Sequence, residues 1–210
     1  MTLLCTGYEP FGDHEANPSA QVARELDGQS VAGHEVVGAV LPVEFDAVGD
    51  ELATLVAEHD PAAVIATGLA AGRTTVSVER VAVNVDDAVT VPDNADASPH
   101  ATAIAEAGAD AHFATVPVVA AVEAMLDAGV PARVSNSAGT HCCNHALYSL
   151  LEQFERAGRE TPAGFVHLPL TPEQAVAEAE APERGGGVTA SLPLALQVEG
   201  VKTVFETTVG

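Results

Sequence analysis

Ala132-Arg133-Val134-Ser135-Asn136-Ser137-Ala138-Gly139-Thr140-His141-Cys142-Cys143-Asn144-His145 reads as one strand-turn-helix unit. An apolar, β-branched stretch from Ala132 to Asn136 breaks at a glycine turn, and a helical pattern follows from Cys143 to Arg156. The same alternation recurs along the chain. Leu3 to Thr6, Val36 to Val43, Ala63 to Thr67, Thr75 to Val85 and Gly164 to Leu168 read as further strands, rich in Val and Ile. Between them the pattern predicts helices over Ser19 to Leu26, Ala47 to His59, Val118 to Ala128 and Thr171 to Glu180, with a closing helix over Leu192 to Phe205. Asn17-Pro18-Ser19 is an N-cap followed by proline at the first helical position, and Thr171-Pro172-Glu173-Gln174 repeats the device as a capping box. Strands alternating with helices predict an α/β protein, a three-layer α/β/α sandwich with a largely parallel, mixed central sheet. Asp86 to Ala111 is a long polar loop placed to cover a site, and Gly185-Gly186-Gly187 is a flexible break.

Length and charge narrow the class. The 210 residues suit a single domain, 1-210, and contain no internal repeat. Thirty acidic residues face eight basic ones, and Lys202 is the only lysine, so nucleic acid is excluded as a partner. So acidic a surface resembles that of proteins working in multimolar salt inside halophilic cells, where screening relieves self-repulsion. Three cysteines do not make a disulfide framework, which points to reduced thiols and a cytoplasmic location. Met1 leads directly into Leu3-Leu4-Cys5 without a charged leader, and no apolar run reaches membrane-spanning length. Cys5, inside that first strand, is expected in the core.

Cys142 and Cys143 lie where a thiol nucleophile would be made. The first turn of a helix offers unpaired N-H groups and the positive end of the helix dipole, which favours a thiolate and supplies donors to an oxyanion. An unpaired cysteine is equally at home as a small buried hydrophobe. A thiol enzyme also needs a base and a group to orient it. Of the eight histidines, His167 stands out because it lies in the strand-like Gly164-Phe165-Val166-His167-Leu168, although a hydrogen-bonded core histidine would occupy the same pattern. His14, His34, His59, His100 and His112 read as surface residues. Glu79 is the only carboxylate in an otherwise apolar strand, so it needs a partner: either an imidazole or a nearby arginine, Arg73 or Arg80. Tyr8 and Phe11 sit in the glycine-rich turn Gly7-Tyr8-Glu9-Pro10-Phe11-Gly12 of a chain with only two Tyr and six Phe. They either seal the core beneath that loop or wall a small pocket. A rival reading takes His141, Cys142, Cys143 and His145 as ligands of a structural metal, or of a non-catalytic ligand-binding α/β protein, although adjacent cysteines chelate one ion poorly.

Taken in order, Thr6-Gly7-Tyr8-Glu9-Pro10-Phe11-Gly12 with Asn17-Pro18-Ser19, Leu41-Pro42-Val43, Gly68 to Arg73, Glu79-Arg80-Val81-Ala82-Val83-Asn84, Ala138-Gly139-Thr140 with Cys143-Asn144, and Gly164-Phe165-Val166-His167 with Pro172-Glu173-Gln174 resemble the pyroglutamyl peptidase I family over nearly the whole chain. The resemblance implies a cysteine peptidase with Cys143, His167 and Glu79 as its catalytic set. It also implies N-terminally pyroglutamylated peptides as substrates, their ring held by Tyr8 and Phe11, and a homotetramer. Asn17, His141 and Cys142 complete the candidate substrate-binding set; no cofactor or metal is expected. Departures from the family's pattern are Tyr8 in place of Phe, Leu69 where many members carry Gln, and His141-Cys142 in place of an aromatic and an aliphatic residue. Val89-Thr90-Val91 stands where an Arg and one apolar residue are usual, making that loop one residue longer.

Overall fold

The computed structural model describes residues 1-180 and 188-210. The glycine run 185-187 lies outside them. In chain order the elements are β1 (Thr2–Tyr8), α1 (Pro18–Leu26), β2 (Ser30–Val31), β3 (His34–Leu41), α2 (Phe45–His59), β4 (Ala63–Leu69), β5 (Val76–Glu79) and β6 (Val81–Val83). They continue with β7 (Ala111–Phe113), α3 (Val118–Asp127), β8 (Ala132–Ser135), α4 (Cys142–Ala157), β9 (Ala163–Leu168), α5 (Pro172–Glu180) and α6 (Leu194–Val209).

Seven strands form the main sheet in the order β2-β3-β1-β4-β9-β5-β8. β3, β1, β4 and β9 run parallel, β5 pairs antiparallel with β9 and parallel with β8, and β2 is an antiparallel edge. Helices cover both faces, as the strand-helix alternation predicts. On one face Val22 and Leu26 of α1, Ala121 and Met125 of α3, and Val201 and Phe205 of α6 pack on Leu3, Cys5, Ile65 and Val166. On the other, Val48 and Leu52 of α2 and Ala146, Leu147 and Leu151 of α4 pack on Leu4, Val64, Ala66 and Phe165. α1 approaches β1 so closely that a Cβ on Gly7 would lie 2.1 Å from the Ser19 carbonyl oxygen, which explains the glycine of the first motif.

Thr75 to Val85 is not one strand. Val76–Glu79 belongs to the main sheet, whereas Val81–Val83 leaves it and pairs antiparallel with Ala111–Phe113 in a separate ribbon. The break falls at Arg80, whose N-H donates to the Ser135 carbonyl while its own carbonyl accepts from Ala114 N-H. His112 lies on that ribbon. It is buried, not at the surface, with Nε2 2.6 Å from a Glu152 oxygen and Nδ1 3.0 Å from one of Glu155.

Candidate active site

The sheet register brings three of the expected side chains to one face. Gly68 of β4 lies opposite His167 of β9, and His167 opposite Ser77 of β5, so these side-chain directions agree, and Glu79, two residues beyond Ser77, shares them. Phe165, two residues before His167, packs in the core beneath α4, so this is the face that α4 covers. Cys143, the second residue of α4, comes down onto it at Gly68. A Cβ built on Gly68 would lie only 2.7 Å from the Cys143 sulfur. Gly68, paired with His167 in the sheet register, thus leaves a slot for the sulfur.

Glu79 is completely buried and His167 nearly so. His167 Nδ1 is 2.7 Å from Glu79 Oε1, and because a carboxylate only accepts, the ring proton sits on Nδ1 and Nε2 is left as the acceptor. Arg73 Nη1 donates to the same Oε1 at 2.8 Å, and Nη2 donates to the Ser137 carbonyl. The two partners weighed for Glu79, imidazole and arginine, are therefore both present; Arg80 instead donates to Asn136. Burial works to raise the Glu79 pKa, but the hydrogen bond and charge of His167, together with Ser135 and Arg73, outweigh it and hold the carboxyl below its usual range.

The electrostatics of the other two groups differ from expectation. The helix start was expected to favour a Cys143 thiolate, and a carboxylate beside His167 would by itself favour the charged ring. Cys143 keeps part of its surface open. Nevertheless, burial of the sulfur, reinforced by the Glu79 charge, pushes its pKa up to about 12, against the opposing pull of Arg73 and of its own backbone N-H. Burial likewise lowers His167 in spite of the Glu79 contact. The resting site is a neutral thiol beside a neutral imidazole, with the negative charge on Glu79.

The candidate substrate-binding residues divide. Phe11 and Phe45 flank the His141 ring, each with centroids 4.9 Å from it. His141 Nε2 donates to the Val91 carbonyl at 3.1 Å, and burial lowers its pKa, so it is neutral. The long loop reaches this corner through Val91, and Asn94 Nδ2 donates to the Pro10 carbonyl and to Glu9. Cys142 is buried in the core, where desolvation raises its thiol pKa. Tyr8 is buried too, and its hydroxyl donates to the Cys142 carbonyl at 2.9 Å. Asn17 is the N-cap of α1: Oδ1 accepts from Ser19 N-H and Oγ, and Nδ2 donates to the Glu9 carbonyl. These contacts commit both ends of its amide to holding the first loop.

The metal-ligand set does not assemble. His145 turns away to Asp86, with Nδ1 2.8 Å from Oδ2, and His141 is held between two phenyl rings. Among the described residues, no group of three or more His, Cys, Asp or Glu side chains is placed to hold a metal ion. Asn144, adjacent to the thiol, proves structural: its amide accepts from Val83 N-H and donates to the Val83 and Val85 carbonyls, tying α4 to β6.

A buried carboxylate, an imidazole with its second nitrogen as acceptor, and a thiol at a helix start, carried on an α/β sheet, are the side-chain types that a cysteine hydrolase requires. Residues 1–209 match the pyroglutamyl peptidase family, and the chain belongs to it. It is 47% identical over 176 residues to a pyrrolidone-carboxylate peptidase of Thermococcus onnurineus, covering 84% of this chain and 87% of that protein. It is 45% identical over 208 residues to one of Cupriavidus pinatubonensis, covering 99% and 92%. Among solved structures, a variant of the Pyrococcus furiosus pyrrolidone carboxyl peptidase superposes with a TM-score of 0.94 at 35% identity, covering 100% of this chain and 98% of that one. The Thermococcus litoralis pyrrolidone carboxyl peptidase gives 0.93 at 35% identity, covering 99% and 93%.

Proposed function

We propose that this protein is a cysteine exopeptidase that removes an N-terminal pyroglutamyl residue from peptides, with Cys143 as nucleophile, His167 as general base and acid, and Glu79 as the group that orients His167. The observation that carries the assignment of roles is the Glu79 to His167 contact at 2.7 Å, which fixes the Nδ1-H tautomer and leaves Nε2 free on the face where Cys143 meets Gly68. His167 Nε2 takes the thiol proton as Cys143 Sγ attacks the carbonyl joining pyroglutamate to the next residue. Backbone N-H groups in the first turn of α4, which receive no side-chain cap from His141, stabilise the oxyanion. The imidazolium then protonates the departing amine, leaving a pyroglutamyl thioester. Water, deprotonated by the same Nε2, hydrolyses the thioester, releases pyroglutamate and returns the proton to sulfur.

Phe11 and His141 form the corner for the neutral lactam ring, whose apolar body suits their rings. A free α-amine is rejected because the Phe11 and neutral His141 rings would strip its water without supplying a charge to offset that desolvation. The competing metal-site reading has no observation in its favour. Hydrolysis of a pyroglutamyl peptide, with none of the same peptide beginning in Gln or Pro, tests the substrate assignment. Equal cleavage of all three would refute it.

Residues 1-210 act as one catalytic domain, a reading supported by a family match that runs from 1 to 209. The location is cytoplasmic, supported by three free cysteines; no helix among the described residues is long and apolar enough to cross a membrane. The protein is a salt-adapted form, given its net charge of -22. It assembles as a homotetramer that covers exposed apolar side chains such as Phe113 and Leu126. Light scattering in multimolar KCl tests the assembly, and a monomer there would exclude it.

A further inference from the structure

We infer that Tyr8 is a positioning residue for the oxyanion, acting through the Cys142-Cys143 peptide bond. The inference rests on the peptidase reading above and extends it to a side chain that the reaction itself does not use. The Tyr8 hydroxyl donates at 2.9 Å to the Cys142 carbonyl, across 134 positions of sequence and in the buried interior. That carbonyl and the Cys143 N-H belong to one planar peptide unit. A hydrogen bond accepted at the oxygen withdraws charge from the nitrogen and strengthens the N-H as a donor.

The Cys143 N-H is also at the reacting centre, since it belongs to the residue that carries the sulfur and lies in the first turn of α4, where no side chain caps it. When the sulfur forms a bond to the substrate carbonyl carbon, the oxyanion develops two bonds away from it, beside the same first turn of α4. Tyr8 is well placed to fix the orientation of this peptide. It is the last residue of β1, in the middle of the sheet, and its backbone N-H is anchored on the Ser19 hydroxyl at 2.9 Å. Burial, followed by the proximity of Cys143 and Cys142, keeps the phenol protonated and hence a donor. A phenylalanine would fill the same space and leave the peptide without this partner.

The test is Tyr8→Phe in the full chain, read in three ways. Hydrolysis of a chromogenic pyroglutamyl amide should lose kcat by about 3- to 10-fold with KM unchanged within about twofold, the scale of one neutral hydrogen bond. Alkylation of Cys143 by iodoacetamide, a reaction at sulfur with no oxyanion, should keep its rate within the same margin. The Cys143 amide proton should move upfield in a 1H-15N spectrum. A kcat equal to that of the native chain, a parallel loss of kcat and alkylation rate, or an unmoved Cys143 resonance would each overturn the inference. If the native chain hydrolyses no pyroglutamyl amide, the peptidase reading fails and the oxyanion role of Tyr8 falls with it; the amide resonance then reports separately whether Tyr8 polarises this peptide.

Discussion

Gly68→Ala isolates the geometry on which the site depends. Gly68 has an ordinary negative-φ backbone, so alanine is conformationally acceptable there, and the cost comes only from what the methyl group meets. It would lie 2.7 Å from the Cys143 sulfur and 2.9 Å from Phe165 Cζ, where ordinary contact begins at 3.4 Å. The sulfur must therefore retreat by about 0.7 Å, or the strand and helix must part by that much. Overpacking of this kind costs about 1–3 kcal/mol, or about 2–12 °C in Tm for a chain of this length. Moving the nucleophile by nearly an ångström relative to a fixed base costs on the order of 10²-fold in kcat. The assay is hydrolysis of a chromogenic pyroglutamyl amide, paired with thermal unfolding of Gly68→Ala in both the native and the Cys143→Ala backgrounds. Part of the stability loss should disappear when the sulfur is absent, because the clash with it has been removed. A kcat within threefold of native, or an identical Tm loss in both backgrounds, would refute the placement of the thiol in this slot.

Other predictions follow from the charges. Because burial lowers the His167 pKa and raises that of Cys143, kcat/KM should rise on an acid limb below pH 6.5 and then stay flat through neutrality; a fall near pH 8 to 9, as for a preformed thiolate-imidazolium pair, would contradict this. Glu79 is held below its ordinary 4.5, so its pairing contributes stability above that value that is lost as pH falls through the lower folded-state pKa, and Tm should drop in that acid range. Glu79→Gln should lower kcat by about 10²- to 10³-fold while binding changes little, since the Nδ1-H tautomer loses its anionic acceptor; a kcat/KM within tenfold of native would remove Glu79 from the mechanism. Raising KCl from dilute to multimolar should raise Tm, since thirty carboxylates face eight cationic side chains; a flat response would dismiss the salt-adapted reading.

Much of this could be read along the chain because the signals were local. The Asn17-Pro18 and Thr171-Pro172 caps, the Val-rich strands and the lone carboxylate at Glu79 each carry their meaning within a few residues. What escaped depended on distant partners. The break at Arg80 is marked by its backbone bonds to Ser135 and Ala114, and His112 is buried against Tyr148 and Glu152 of α4. Nothing beside Tyr8 in sequence announces the Cys142 carbonyl as its partner. The protonation balance was misread for the same reason. A helix start favours a thiolate locally, but the sulfur sits between α4 and the sheet, and desolvation by elements far away in sequence outweighs the dipole.

The most direct test of the central claim is hydrolysis of a chromogenic pyroglutamyl amide, in multimolar KCl with reductant, by the native chain, Cys143→Ala and Cys142→Ala. The account predicts that the native chain is active, that Cys143→Ala is inactive though folded, and that Cys142→Ala, which loses only a buried core thiol, keeps most of its activity. Activity surviving in Cys143→Ala, or a folded native protein without activity, would contradict it.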